Sequence, residues 1–141
     1  MKNLQALLII FTAFLCACTH LQQNKTLYER IGGNEKLSAV VSELVDNIST
    51  NPKTSRSFKD VKLTVLKKSI TNQFCVISGG DCVYDGETMK NSHADAKITS
   101  AEFELTVQAL RDALDHQNVG IREKNELLSL LAPMKRDIVS N

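Results

Sequence analysis

The chain has 141 residues, 43% of them hydrophobic and 23% charged, with a formal net charge of +1 at pH 7. That length supports one domain and excludes two. A near-zero charge without a basic stripe excludes nucleic acid as a partner. The sequence shows no serine–histidine, paired-carboxylate or phosphate-loop constellation, which excludes the common hydrolase and kinase chemistries.

The chain opens on Met1-Lys2 and an apolar run from Leu4 to Ala17. By length and flanks this is a secretory signal, too short to span a bilayer comfortably. Its end, Leu15-Cys16-Ala17-Cys18, resembles the bacterial lipoprotein cleavage signal. The expected layout is a signal peptide over 1–17, a lipidated tether over 18–25 and a folded domain over 26–141. Cys18 would carry the lipid. Thr19 follows it where Asp would be expected for inner-membrane retention, so the expected location is the outer membrane, facing the periplasm. Cys75 and Cys82 then remain as an even pair in an oxidising space, flanking Gly79-Gly80, and are expected to form a disulfide.

Hydrophobic spacing predicts helices throughout and no strands. Thr26–Ile31 reads as a short helical turn stopped by Gly32-Gly33, with Asn34 capping the next helix. Leu37, Val40, Val41, Leu44, Val45 and Ile48 recur at three and four, one helical face. Asn51-Pro52 ends it, and Phe58 falls in an irregular stretch. A helix over about 61–78 carries Leu63, Leu66, Ile70, Phe74 and Ile77, with Lys67 and Lys68 beside the stripe. After a glycine-rich loop with Tyr84 comes Met89-Lys90-Asn91-Ser92-His93, a few residues before a helix over 100–116 with Phe103, Val107, Leu110 and Leu114 inward. Thr99 or Ser100 can cap that helix, with Glu102 or Glu104 at its positive end. Gly120 precedes the last helix, which Pro133 should kink or tighten. Asp112 with Asp115, and Glu123 with Glu126, read as solvated helix faces, and His116 as structural.

A lone imidazole before a long helix is a weak signal for a ligand. The surrounding pattern strengthens it. Leu27-Tyr28-Glu29-Arg30-Ile31-Gly32-Gly33, Phe58, Leu66-Lys67, Gly79-Gly80, Tyr84-Asp85-Gly86, Met89-Lys90-Asn91-Ser92-His93 and Ile98-Thr99-Ser100-Ala101-Glu102-Phe103 occur in order over Thr26 to Val139. In this pattern the chain resembles the group 1 truncated hemoglobins. The resemblance implies an all-α fold, a two-over-two helical sandwich around heme, with His93 as the proximal iron ligand. It implies a heme pocket lined by Phe58, Leu66, Ile70, Phe74, Met89, Val45, Tyr84 and Phe103, with Leu44 and Gln73 on the distal side. It places Lys67 or Lys68 near a heme propionate. Many relatives carry Tyr at the position of Val45; this chain has Val, so strong oxygen stabilisation is in doubt. No Cys-x-x-Cys-His occurs, so the heme would be b-type, without covalent attachment through cysteine.

Two classes of function follow. One is a periplasmic, lipid-anchored heme protein binding oxygen, nitric oxide or carbon monoxide; its enzymatic variant is nitric oxide dioxygenation, which needs a reductant that the sequence does not identify. The other is a non-heme, all-α lipoprotein interaction module with a globin-like shape. A Soret band separates the two.

Overall fold

The structure is a computed structural model and describes residues 25–140. The expected signal peptide, Cys18, His20 and nearly all of the expected tether lie outside the described residues. Every element among the described residues is helical. Helix α1 spans Leu27–Ile31, α2 Gly33–Thr50, α3 Leu63–Ile77, α4 Met89–His93, α5 Ser100–His116, α6 Ile121–Leu131 and α7 Lys135–Ile138. Two 3-10 turns intervene, Ser55–Phe58 and Ala132–Met134. Among the described residues the only β-type pairing is an isolated bridge between Ile98 and Val139.

Local chemistry sets the boundaries. Thr26 caps α1 in a reciprocal box: Glu29 N–H donates to Thr26 Oγ1 at 3.2 Å, and Thr26 N–H donates to Glu29 Oε2 at 2.8 Å. Gly32, at φ 115°, ends α1 and immediately starts α2. Only glycine takes that left-handed backbone without strain, so the helices abut and Asn34 is already inside α2, where it caps nothing. Thr99 and Glu102 repeat the reciprocal box at the start of α5. Pro133 lies in the 3-10 turn between α6 and α7, the tightening expected of a residue without an N–H.

Helix α2 is the hub. It packs along α3 and α5, while α1 packs on α6. Leu37, Val40, Val41 and Val45 are fully buried, as are Leu114 of α5 and Leu127 of α6. Each such aliphatic side chain contributes about 1.5–3 kcal/mol of apolar burial. Charged residues close the seams. The Arg30 guanidinium reaches Glu123 at 3.3 Å and also Glu126, whose hydrogen bond raises its pKa. Lys124 pairs with Asp115 across the α5–α6 corner. Asp115, Glu123 and Glu126 are therefore helix-joining residues, not the solvated faces that their spacing suggests. His116 Nδ1 lies 2.5 Å from Glu43 Oε1, tying the end of α5 to α2; this agrees with a structural role.

The segment between α3 and α4 has no regular structure. Its start is fastened: Cys75 and Cys82 are bonded, with Cα atoms 6.0 Å apart. Gly80 makes this approach feasible, because a Cβ there would run into Cys75 Sγ and the Tyr28 ring. The far end of the segment is the single turn α4, which Thr88 caps by accepting from Asn91 N–H. Helix α7 packs on α4.

Candidate heme site

Between α2, α3, α4, α5 and the C-terminal turns lies a cleft of about 630 Å³, well inside the roughly 300–1,000 Å³ typical of cofactor and ligand sites. Its wall brings together residues from segments far apart in sequence. Phe58 comes from the first 3-10 turn, and Leu66, Ile70, Gln73 and Phe74 come from α3. Tyr84 stands in the α3–α4 segment, Met89 and His93 on α4, and Phe103 on α5. Leu44 and Ile48 represent α2.

Val45 does not join them. It is fully buried and absent from the cleft wall. A helix turns about 100° per residue, so Leu44 and Ile48 share a face while Val45 sits with Val41 on the face turned into the closed core. The resemblance assigns position 45 to the pocket; with valine there, the register gives that place to Leu44 and Ile48. Lys67 is also assigned differently from expectation. Its Nζ lies 2.8 Å from Asp46 Oδ1 and 3.0 Å from Ser42 Oγ, an α2–α3 tie, and neither Lys67 nor Lys68 lines the cleft. The cations that do are Arg111 and Lys135. Lys135 pairs with Glu104 at 2.6 Å and lies 5.4 Å from the Phe103 ring centre.

The His93 ring is held in one orientation. Its Nδ1 lies 2.9 Å from the Met89 carbonyl oxygen one turn back. A carbonyl only accepts, so Nδ1 carries a proton in this contact, and in the neutral ring the lone pair belongs to Nε2. Among the described residues no three His, Cys, Asp or Glu side chains converge. His93 can therefore serve a metal only as one ligand to an ion that brings its others with it, as iron does in a porphyrin. A large apolar cleft with one oriented imidazole fits that group.

A clamp stabilises the stretch that follows the imidazole. Arg56 donates through Nε and Nη2 to the two Glu102 oxygens at 2.6 and 2.7 Å. It also donates to the carbonyls of Ala96 at 3.0 Å and Lys97 at 2.8 Å. The Arg56 bond, with those from Thr99, holds the buried Glu102 carboxyl down at about 2. One guanidinium thus joins the Phe58 turn, the segment after α4 and the start of α5. The capping pattern marks Glu102 in the sequence, but nothing there marks Arg56, 46 residues away. Gln73 turns into the cleft, its amide nitrogen 3.5 Å from Met89 Sδ and 3.9 Å from Met134 Sδ.

An all-helical fold around one imidazole-bearing apolar cleft defines a small heme protein. Residues 26–140 match the bacterial-like globin family, and the chain belongs to it. It is 30% identical to the group 1 truncated hemoglobin GlbN of Mycolicibacterium paratuberculosis over 82% of this chain and 85% of the relative. It is 24% identical to the GlbN of a Nostoc species over 82% of this chain and 98% of the relative. Among solved structures, the truncated hemoglobin of Tetrahymena pyriformis in its Fe(III) form superposes with a TM-score of 0.78 at 20% identity, covering 83% of this chain and all of that one (100%). The 2/2 hemoglobin of Synechococcus, with covalently attached heme, superposes at 0.76 and 19% identity, covering 83% of this chain and 100% of that chain. The fold is the truncated-globin fold. As a globin the chain is a heme-iron protein of the gas-binding class, and the non-heme module is not favoured.

Proposed function

We propose that this chain is a lipid-anchored envelope globin whose His93 binds the iron of a b-type heme and whose opposite wall receives oxygen, nitric oxide or carbon monoxide. The observation that carries the reading is His93 itself: an imidazole on the cleft wall with Nδ1 committed to the Met89 carbonyl. That bond fixes the ring's orientation. His116, engaged with Glu43 and away from the cleft, does not compete for the metal. Heme, when bound, supplies the reversible ligation of the gas. The residues of this chain exclude water and shape what enters. Leu44, Ile48, Leu66 and Ile70 are hydrocarbon, and the Gln73 amide faces two thioethers, so these five residues offer little that favours oxygen over carbon monoxide. A neutral donor would be worth on the order of 1 kcal/mol.

Absorption spectra of the purified protein, oxidised, reduced and under carbon monoxide, test the assignment. A Soret band that moves on each change is expected. His93→Ala should lose the heme while far-ultraviolet circular dichroism still reports helices; normal heme content in that variant refutes His93 as the ligand. The anchor rests on Leu15-Cys16-Ala17-Cys18. Fatty-acid labelling should mark the wild type and spare Cys18→Ser, and equal labelling of both removes the anchor. Nitric oxide dioxygenation would require a reductant, and consumption of nitric oxide by the reduced, oxygenated protein measures it directly.

A further inference from the structure

The backbone that follows His93 contains a bend that most residues avoid. Lys97 sits at φ 47°, in the left-handed region that crowds the Cβ of an L side chain. Such strain persists only where the surroundings impose it. Here hydrogen bonds impose it from two sides. Arg56 donates to the Ala96 carbonyl at 3.0 Å and to the Lys97 carbonyl at 2.8 Å. Beyond the bend, Ser140 N–H donates to the Ile98 carbonyl at 2.9 Å. The bend also connects directly to the imidazole's own residue, because Ala96 N–H donates to the His93 carbonyl at 3.1 Å.

Arg56 itself is not part of the cleft wall, whereas Phe58, His93, Ala96 and Glu102 are. The buried Glu102 carboxylate aims the guanidinium, accepting from Nε at 2.6 Å and from Nη2 at 2.7 Å. A planar fork can serve one carboxylate and two carbonyls at once; an ammonium, a single point of charge, cannot span all three. We infer that Arg56 is a positioning residue for the iron ligand: by holding Ala96 and Lys97 in the left-handed bend, it sets how His93 projects into the cleft. It acts through the backbone alone. What His93 binds rests on the heme reading above; the bend and its clamp do not.

Arg56→Lys and Arg56→Ala test it in the full chain. Lys124→Ala is the control, since it breaks the ion pair with Asp115 and neither residue lines the cleft. Without heme, the Ala96 amide should exchange its hydrogen faster in both Arg56 variants and at the wild-type rate in the control. With ferrous heme and no gas, the iron–histidine stretching band should broaden and fall in frequency in both Arg56 variants. Heme loss to an apoglobin scavenger should speed up about fivefold, the worth of one hydrogen bond. Arg56→Lys keeps a cation beside Glu102, so it separates lost positioning from lost charge and serves where Arg56→Ala does not fold. Lys124→Ala should melt lower while its band and heme loss stay at wild-type values. An unshifted band in Arg56→Lys overturns the inference whatever happens to the melting temperature, because a merely structural clamp moves stability alone. An equal shift in Lys124→Ala also overturns it, since the band would then report stability. A wild type that takes up no heme removes the heme reading and this inference together; a heme-loaded wild type with an unshifted Arg56→Lys removes this inference alone.

Discussion

The two faces of α2 are made of the same kind of residue and serve different ends. Val41 and Val45 are 0% exposed, locked into the closed core with Leu37, Leu114 and Leu127. Leu44 and Ile48, one helical step away, form part of the cleft wall. Opposite them Phe58, Leu66 and Ile70 are only partly buried, and their remaining surface borders the cleft. Both faces read identically as helix periodicity. One is complete in the protein alone, and the other is shaped to be completed by a flat apolar group. Stability of the folded chain and affinity for heme should therefore separate by face.

The widest expected separation is between two leucines. Leu114→Ala opens a hole in the closed core and should cost about 2–5 kcal/mol with or without heme. Leu66→Ala removes a cleft-wall side chain and should cost less than about 1.5 kcal/mol in the apo protein, because solvent already reaches it. Its larger effect should be faster heme loss. Denaturant unfolding of both variants, each with and without heme, measures the contrast; equal apo losses would erase the distinction between the faces.

A smaller effect probes the boundary itself. Val45→Tyr overpacks the core and should destabilise the chain by about 1–3 kcal/mol. Oxygen release, followed by stopped-flow, should not slow, because residue 45 does not reach the wall. Slower release without loss of stability would transfer position 45 to the cleft face.

The smallest effect is electrostatic and belongs to the clamp across the cleft's rim. Arg56 and Thr99 lower the Glu102 carboxyl from 4.5 to about 2. A carboxyl depressed on folding contributes stability above its unfolded value, and that contribution fades as pH falls through the folded value. The window runs from about pH 4.5 down to about pH 2. With Arg56 half exposed, roughly 1–2 kcal/mol is at stake after screening. Glu102→Gln should lose most of this contribution at neutral pH and flatten the acid limb of a stability–pH curve. An unaltered acid limb would mean that the clamp does not stabilise the fold.

Much of this molecule is legible in its sequence. The three-and-four spacing from Leu37 to Ile48 needs only the pitch of a helix, and Ser100–His116 follows from Thr99 and Glu102 lying three residues apart. Cys75 and Cys82 are near enough in sequence for their pairing to be read from two leftover thiols around a glycine pair. His93 was marked by its neighbours and by where it falls before a capped helix. These features are local: the groups that cause them lie within a turn or a short loop of one another.

Everything that joins distant segments had to wait for the tertiary structure. Glu123 and Glu126 are ordinary solvent-type charges until α1 brings Arg30 beside them, and Lys67 is free for any anion until α2 offers Asp46. Spacing puts Leu44, Val45 and Ile48 on one broad stripe; only the packing of α3 and α5 around α2 decides which edge of that stripe is core and which is cleft. The sequence by itself determined the main helices and the Thr99–Glu102 cap, since these depend on backbone geometry over a few residues. The tertiary structure decided which side chains face the cleft and which charges are already engaged, since those depend on contacts that no spacing rule contains.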